Sequence, residues 1–310
     1  MIDISDPIFS DETAAREYLE AQRWPEGPYC PHCGEVENIR RLKGKSHRPG
    51  LFQCNSCRGA FSVTVGTLYE RSKVPLHKWL MATHLLCASK KGMSSHQLHR
   101  MLGVTYKTAW FMTHRIREAM RDVDPQPMGG SGGTVEIDET FIGRDKTKKP
   151  KGQKKGRGTV HMNSVLSLVD RDTGRARSIV VKDIKAKTLY PIIRENVRRE
   201  TRLMTDDARQ YKKIGKEYAG HGVVRHSLGQ YVQRRDRTIH TQTIEGFFSI
   251  FKRGMRGIYQ HCGKQHLHRY LAEFDFRYSN RHLEDSERAV VALKNIAGRR
   301  LTYRRTSSWA

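Results

Sequence analysis

Three acidic residues stand in contexts where they could do chemistry together. Asp138 lies in the run Thr134-Val135-Glu136-Ile137-Asp138-Glu139-Thr140-Phe141-Ile142, whose alternation turns Val135 and Ile137 to one face and Glu136, Asp138 and Thr140 to the other. Asp206 ends the short strand Leu203-Met204-Thr205, and strand ends in an α/β sheet commonly present functional side chains. Glu245 opens the apolar segment Ile244 to Phe251, seven residues before Lys252, so two helical turns bring carboxylate and ammonium to nearly one face. Three converging carboxylates repel one another, whereas two Mg²⁺ or Mn²⁺ ions would offset the charge and activate water, with Lys252 directed at a phosphate. Glu136, Glu139 and Asp207 are substitutes for the same role, and each acid taken singly also fits a solvated surface position.

Cysteines form a second constellation. Cys30 and Cys33 lie in Cys-Pro-His-Cys-Gly, Cys54 and Cys57 in Cys-Asn-Ser-Cys-Arg, and twenty residues separate the pairs. Two tight turns that each present two thiolates suit one tetrahedral Zn²⁺, a structural site. Redox activity is the rival for a single Cys-x-x-Cys; two matched pairs beside Phe52 and Phe61 favour zinc and leave His32 a bystander.

The acids need a sheet and a crossing helix to meet. Strand-length runs cover 134–142, 163–169 and 176–181, with Asp172, Thr173 and Gly174 as a hairpin turn. A helix over 187–197, a strand over 202–205, a helix over 210–218 and a strand over 222–226 continue an α/β pattern. Upstream, a helix over 11–23 has Ser10 as its expected cap, and short strands Leu51–Gln53 and Ala60–Val65 accompany the cysteines. From Pro75 the period is helical, with Trp79, Leu80, Thr83, Leu86 and Cys87 three and four apart.

Two further helices flank Gly103-Val104-Thr105, with Leu98, Leu102, Val104 and Ala109 packing the crossing and Thr105, Lys107, Thr108 and His114 turned outward. In a helix-turn-helix the second helix enters the major groove, which makes Thr105, Tyr106, Lys107 and Thr108 candidates for base or phosphate contact. An ordinary helical hairpin is the alternative. The expected organisation is an N-terminal helical segment (1–28), a zinc ribbon (29–66), a helix-turn-helix domain (75–121), a Pro- and Gly-rich linker (122–133), an α/β domain (134–285) and a basic tail (286–310).

Lysine and arginine number 57 against 32 acids, a net charge of +25, and such a surface attracts polyanions, nucleic acid first. The segment 144–157 holds eight basic residues against one acid and reads as a loop whose Lys148, Lys149, Lys154 and Lys155 contact DNA phosphates. No apolar run of about 18 residues exists, and the first ten residues lack a basic start followed by an apolar stretch, so a cytosolic, nucleoid-associated protein without membrane contact is expected.

The sequence resembles the prokaryotic insertion-sequence transposases that carry an N-terminal zinc ribbon and an Asp-Asp-Glu catalytic domain of the ISXO type. The resemblance rests on Ile137-Asp138-Glu139-Thr140-Phe141-Ile142-Gly143, on Thr205-Asp206, on the run from His240 through Glu245 to Gly254, and on Gly257-Ile258-Tyr259-Gln260-His261 with Arg269, Tyr270, Glu273, Phe274, Arg277 and Asn280. It implies a ribonuclease H-like fold with a mixed central sheet. It also implies binding to terminal inverted repeats of double-stranded DNA, strand cleavage and strand transfer, Asp138, Asp206 and Glu245 as ligands of two Mg²⁺ or Mn²⁺, Lys252 as their basic partner, and a homo-oligomer on DNA. The competing classes are a DNA-binding regulator without catalysis, which leaves residues 134–281 unexplained, and a metal-dependent nuclease that does not rejoin strands.

Overall fold

Helix α1 (Glu12–Arg23) begins where the Asp11 carboxylate accepts the Ala14 amide at 2.7 Å. Ser10, the cap expected from the sequence, instead closes the preceding turn Pro7–Phe9. The computed structural model describes residues 3–145, 159 and 161–302; Lys148, Lys149, Lys154 and Lys155 lie outside them. Within that description the chain divides into two units, Met1–Met120 with Leu283–Ala310, and Arg121–His282.

In the first unit, strands β1 (Ile39–Arg41), β2 (Phe52–Cys54) and β3 (Ala60–Phe61) form an antiparallel sheet in that order. Phe52 and Phe61 stack at 5.7 Å, and Trp24, just past α1, packs edge-on against both, a small apolar core under the cysteine turns. β1 has no apolar signature; its Arg40 and Arg41 are exposed, and pairing with β2 is what defines it. Helix α2 (Leu76–Ala88) buries Trp79, Leu80, Thr83, Leu86 and Cys87, the residues spaced three and four apart in the sequence.

Helices α3 (Ser95–Leu102) and α4 (Tyr106–Ala119) follow, joined through Gly103, whose φ of +60° supplies the left-handed residue that ends α3. Leu98, Leu102 and Ala109 are buried between them as expected, but Val104 is only half-buried. His114, expected to project outward, is buried, with Trp110 one turn before it tilted against its ring at 4.2 Å.

The second unit holds a mixed five-stranded sheet, order β6-β5-β4-β7-β8, built from β4 (Thr134–Ile142), β5 (Asn163–Asp170), β6 (Ala176–Val181), β7 (Arg202–Asp206) and β8 (Gly220–Val224). β4, β5 and β6 form an antiparallel meander whose last turn uses Gly174 at φ +70°, while β7 and β8 run parallel to β4. Alternation sorts the sheet into two cores. Val135, Ile137, Leu166 and Leu168 face α5 (Ala186–Asn196) and the short α6 (Tyr211–Ile214), which with a 3₁₀ turn at Gly215–Glu217 replaces the longer helix expected over 210–218. Val165 and Val169 face α7 (Gln242–Gly254) and α8 (Leu267–Ser279), whose Phe247, Phe251, Leu271 and Phe274 fill the opposite core.

The stretch 122–133, expected as a linker, is tied to this unit: Met128 is buried in its core and bridges to Val197 in parallel. The segment expected as a basic tail likewise contains structure. Helix α9 (Asp285–Lys294) is opened by a capping box between Glu284 and Glu287 and buries Ala289, Ala292 and Leu293 in the first unit, packed on α2. Among the described residues no helix is long and apolar enough to cross a membrane.

Candidate active site and zinc centre

The parallel register Glu136↔Met204, continued two residues, sets Asp138 level with Asp206 on neighbouring strands. The β4 to β7 pairing stops at Glu136, so the strands part where the two carboxylates stand, at the carboxyl end of the parallel pair. α7 lies over that face with Glu245 in its first turn. Burial pushes the Asp138 carboxyl up to about 7, and the charges of Glu139, Asp206 and Glu245 act in the same direction against the 2.7 Å bond from the Glu139 amide. Burial also raises Asp206, with Asp207 adding to it and the Ala208 amide and His226 opposing.

What holds α7 there is Glu136. Its wholly buried carboxylate accepts the Ile244 amide at 2.8 Å and Arg171 Nε at 2.6 Å. Arg171 in turn donates to the carbonyls of Thr238 at 2.7 Å and His240 at 2.6 Å. One strand thus carries Asp138 and, two residues earlier, the anchor for the helix that carries Glu245. Glu136 is accordingly spent on the scaffold. Glu139 accepts from Gln210 at 3.2 Å on the other side of the strand, and Asp207 accepts from Ser227 at 2.8 Å.

Among the described residues, neither Asp138 nor Asp206 is in an ion pair with a basic side chain; Glu245 is paired with His226, whose Nε2 is 3.4 Å from its Oε1, and accepts from the Thr241 hydroxyl at 3.5 Å. An all-oxygen, net negative donor set of this kind fits a hard divalent cation such as Mg²⁺ or Mn²⁺. The carboxylates are not drawn as tight as a closed site, since among the described residues only the cysteine quartet has all its donor atoms within 4.8 Å of one another. Lys252, half-buried in the last turn of α7, sits over the Phe248 ring at 5.6 Å.

The cysteines meet as the spacing requires. Cys30 and Cys57 sulfurs are 3.6 Å apart and those of Cys33 and Cys54 3.7 Å. A tetrahedron with Zn–S bonds of about 2.3 Å has edges of about 3.8 Å. Each pair is followed directly by a residue of positive φ, Gly34 at 81° and Arg58 at 59°. The backbone amide of Cys57, outweighing burial, brings Cys54 down to about 7. The Glu35 amide favours the Cys33 thiolate, but burial and the other three sulfurs push that thiol up to about 12, so four thiolates need a cation.

At the start of α4 the Thr105 hydroxyl caps the helix through the Thr108 amide at 3.2 Å, and the two hydroxyls meet at 2.9 Å. Tyr106 is exposed and stacked on His96 at 4.2 Å, and Lys107 is exposed beside it. Sequence reasoning missed Arg171, His226 and the role of Glu136. The alternation of β4 pointed to Glu136, whereas nothing in the linear order marks Arg171, distant in the chain from both residues it joins.

The ISXO2-like transposase domain matches residues 131–279, and the transposase zinc-ribbon domain matches residues 10–59. Residues 131–279 are thus similar to the ISXO2-like transposase domain. All three acids fall within the first match and all four cysteines within the second, which also takes in α1. An uncharacterized protein in transposable element ISH50 of Halobacterium salinarum is 29% identical over 283 residues, covering 87% of this chain and 91% of that protein. A cryo-electron microscopy structure of a simian T-cell lymphotropic virus intasome in complex with PP2A regulatory subunit B56 gamma aligns at 15% identity with a TM-score of 0.26, over 64% of this chain and 63% of that one.

Proposed function

We propose that the protein is an insertion-sequence transposase that binds the terminal inverted repeats of its element, cleaves DNA strands there and transfers the ends to a target. Asp138, Asp206 and Glu245 hold two Mg²⁺ or Mn²⁺ ions, and the observation that carries this reading is the convergence of three carboxylates from β4, β7 and α7 with, among the described residues, no ion pair on either aspartate. Bound ions would supply an activated water or 3′-hydroxyl and stabilise the leaving oxygen. The chain's own contribution is to keep the three carboxylates converged: the Glu136 and Arg171 anchor fixes the first turn of α7 against β4, and Lys252 is offered as a positioning cation for a phosphate. The sheet order with two parallel strands beside an antiparallel meander supports a ribonuclease H-like domain.

α3 and α4, joined by the left-handed Gly103, support a helix-turn-helix whose Thr105, Tyr106, Lys107 and Thr108 meet double-stranded DNA. Because two of these hydroxyls are engaged in capping, Tyr106 and Lys107 carry most of that contact. The protein acts as a homo-oligomer on DNA, in the nucleoid. The test is an assay that supplies a 3′-hydroxyl terminal end and target DNA. Asp138→Asn, Asp206→Asn and Glu245→Gln should each bind ends at least as well as the parent yet neither cleave nor join. Cleavage by the parent without joining would mark a nuclease, and near-parental joining by any of the three variants would overturn the ligand assignment.

A further inference from the structure

The segment between β8 and α7 borders a cleft of 1310 Å³, with Asp206 and Asp207 at its edge. Lys212, Lys213, Lys216, Arg225, Arg234 and Arg235 line it, and among the described residues none of these six is in an ion pair. Six uncompensated cations around one concavity concentrate a polyanion there. The volume exceeds the roughly 300–1,000 Å³ of a drug-sized pocket and leaves room for several nucleotides.

The segment that walls the cleft is built. Ser227 Oγ donates to Asp207 at 2.8 Å, the Gln233 amide donates to Ile239 at 2.9 Å, and Val232 bridges to His240. This arch nevertheless leaves two large apolar side chains in solvent: Leu228, which lines the cleft, at 73% exposure, and Tyr231, next in the chain to the lining residue Gln230, at 58%. The Tyr231 ring meets His226 edge-on at 5.3 Å, and His226 Nε2 is 3.4 Å from Glu245. A planar group stacked on Tyr231 would therefore be one side chain removed from the acidic site.

We propose that this cleft binds a single strand of DNA, parted from its complement beside Asp206, with an unstacked base on Tyr231 and the phosphates on Arg234, Arg235 and the three lysines. A duplex keeps its bases stacked inward and has no use for an exposed aromatic beside a cationic cleft, whereas single strands are held by that combination. The inference rests on the proposed transposase function for the identity of the polyanion.

The full-length zinc-loaded protein is titrated, without added magnesium, against a labelled oligothymidylate of about 12 nucleotides, inside the range of single-strand sites, and against a blunt duplex. Tyr231→Ala should lose about 10-fold in single-strand affinity and little on duplex, and Tyr231→Phe should restore it because stacking needs the ring and not the hydroxyl. Replacing Arg234 and Arg235 together by alanine should flatten the single-strand log-log salt plot by about 1.4. Parental single-strand binding by Tyr231→Ala, or equal losses on both probes, overturns the proposal. If single-strand binding is parental while Asp138→Asn still abolishes cleavage, the cleft fails and the transposase reading stands. If Asp138→Asn still cleaves, the site reading fails, and single-strand binding is judged by its own titration.

Discussion

Two carboxylates on one strand, Glu136 and Asp138, share a face and do opposite things. Glu136 is satisfied by Arg171 and the Ile244 amide, so Glu136→Gln leaves a largely buried guanidinium without its counter-charge, a change that costs on the order of 3–5 kcal/mol. Thermal unfolding should show a clear loss of stability together with weakened cleavage. Asp138→Asn relieves crowding among acids, so it should unfold no earlier than the parent while cleaving nothing; an unchanged melting temperature for Glu136→Gln would remove the anchor from the account. The sign of the pH effect follows from the same residue. Burial and neighbouring acids raise the Asp138 carboxyl from an ordinary 3.8 to about 7, so the folded chain binds a proton that the unfolded chain releases. Its contribution is therefore present at low pH and lost as pH rises through about 7. Without added divalent ion the melting temperature should decline over that window, Asp138→Asn should flatten the decline, and Mg²⁺ should offset it near neutrality. A parental slope in Asp138→Asn would exclude Asp138 as its source.

The β-turns that carry the cysteines and the helix that carries Glu245 depend on different glue. β3 is two residues long and β1 and β2 three each, too short to persist alone, and the aromatic trio of Trp24, Phe52 and Phe61 is a small core. Zinc must supply much of the stability there. Chelation or Cys54→Ser should open residues 29–66 to limited proteolysis while the second unit, which has its own two apolar clusters, stays resistant; equal resistance after verified zinc removal would contradict the assignment. α7 needs no ion to form, since Ile244, Phe247, Phe248 and Phe251 bury one stripe of it against the sheet and α8. It was legible in the sequence for that reason, as were α2 and β4. β1 was not, because a strand of Ile-Arg-Arg carries no pattern and exists only through its partner.

Across the whole molecule the net charge of +25 would set the scale of the DNA interaction we propose. Neutralising Lys148, Lys149, Lys154 and Lys155 should flatten the duplex salt plot by up to about 0.9 for each phosphate left without its lysine, and a slope that does not move would take those lysines out of the interface. The sequence by itself determined the quantities that are local or additive: charge, the four-cysteine spacing, the alternation that set Asp138 apart from Ile137, and the apolar stripes of the long helices. It also separated the three acids as candidates without ranking them against Glu136, Glu139 and Asp207. The ranking we propose rests on the tertiary structure, because a carboxylate's job depends on what is brought to it from elsewhere in the chain. Arg171 and Ile244 claim Glu136, Gln210 claims Glu139, Ser227 claims Asp207, and Asp138 and Asp206 are left level on parting strands with Glu245 laid over them. The same applies to residues 122–133 and 286–294, read from the sequence as part of a linker and of a tail: Met128 and Leu293 are buried because partners remote in sequence offered them apolar surface, and no local pattern encodes a partner's position.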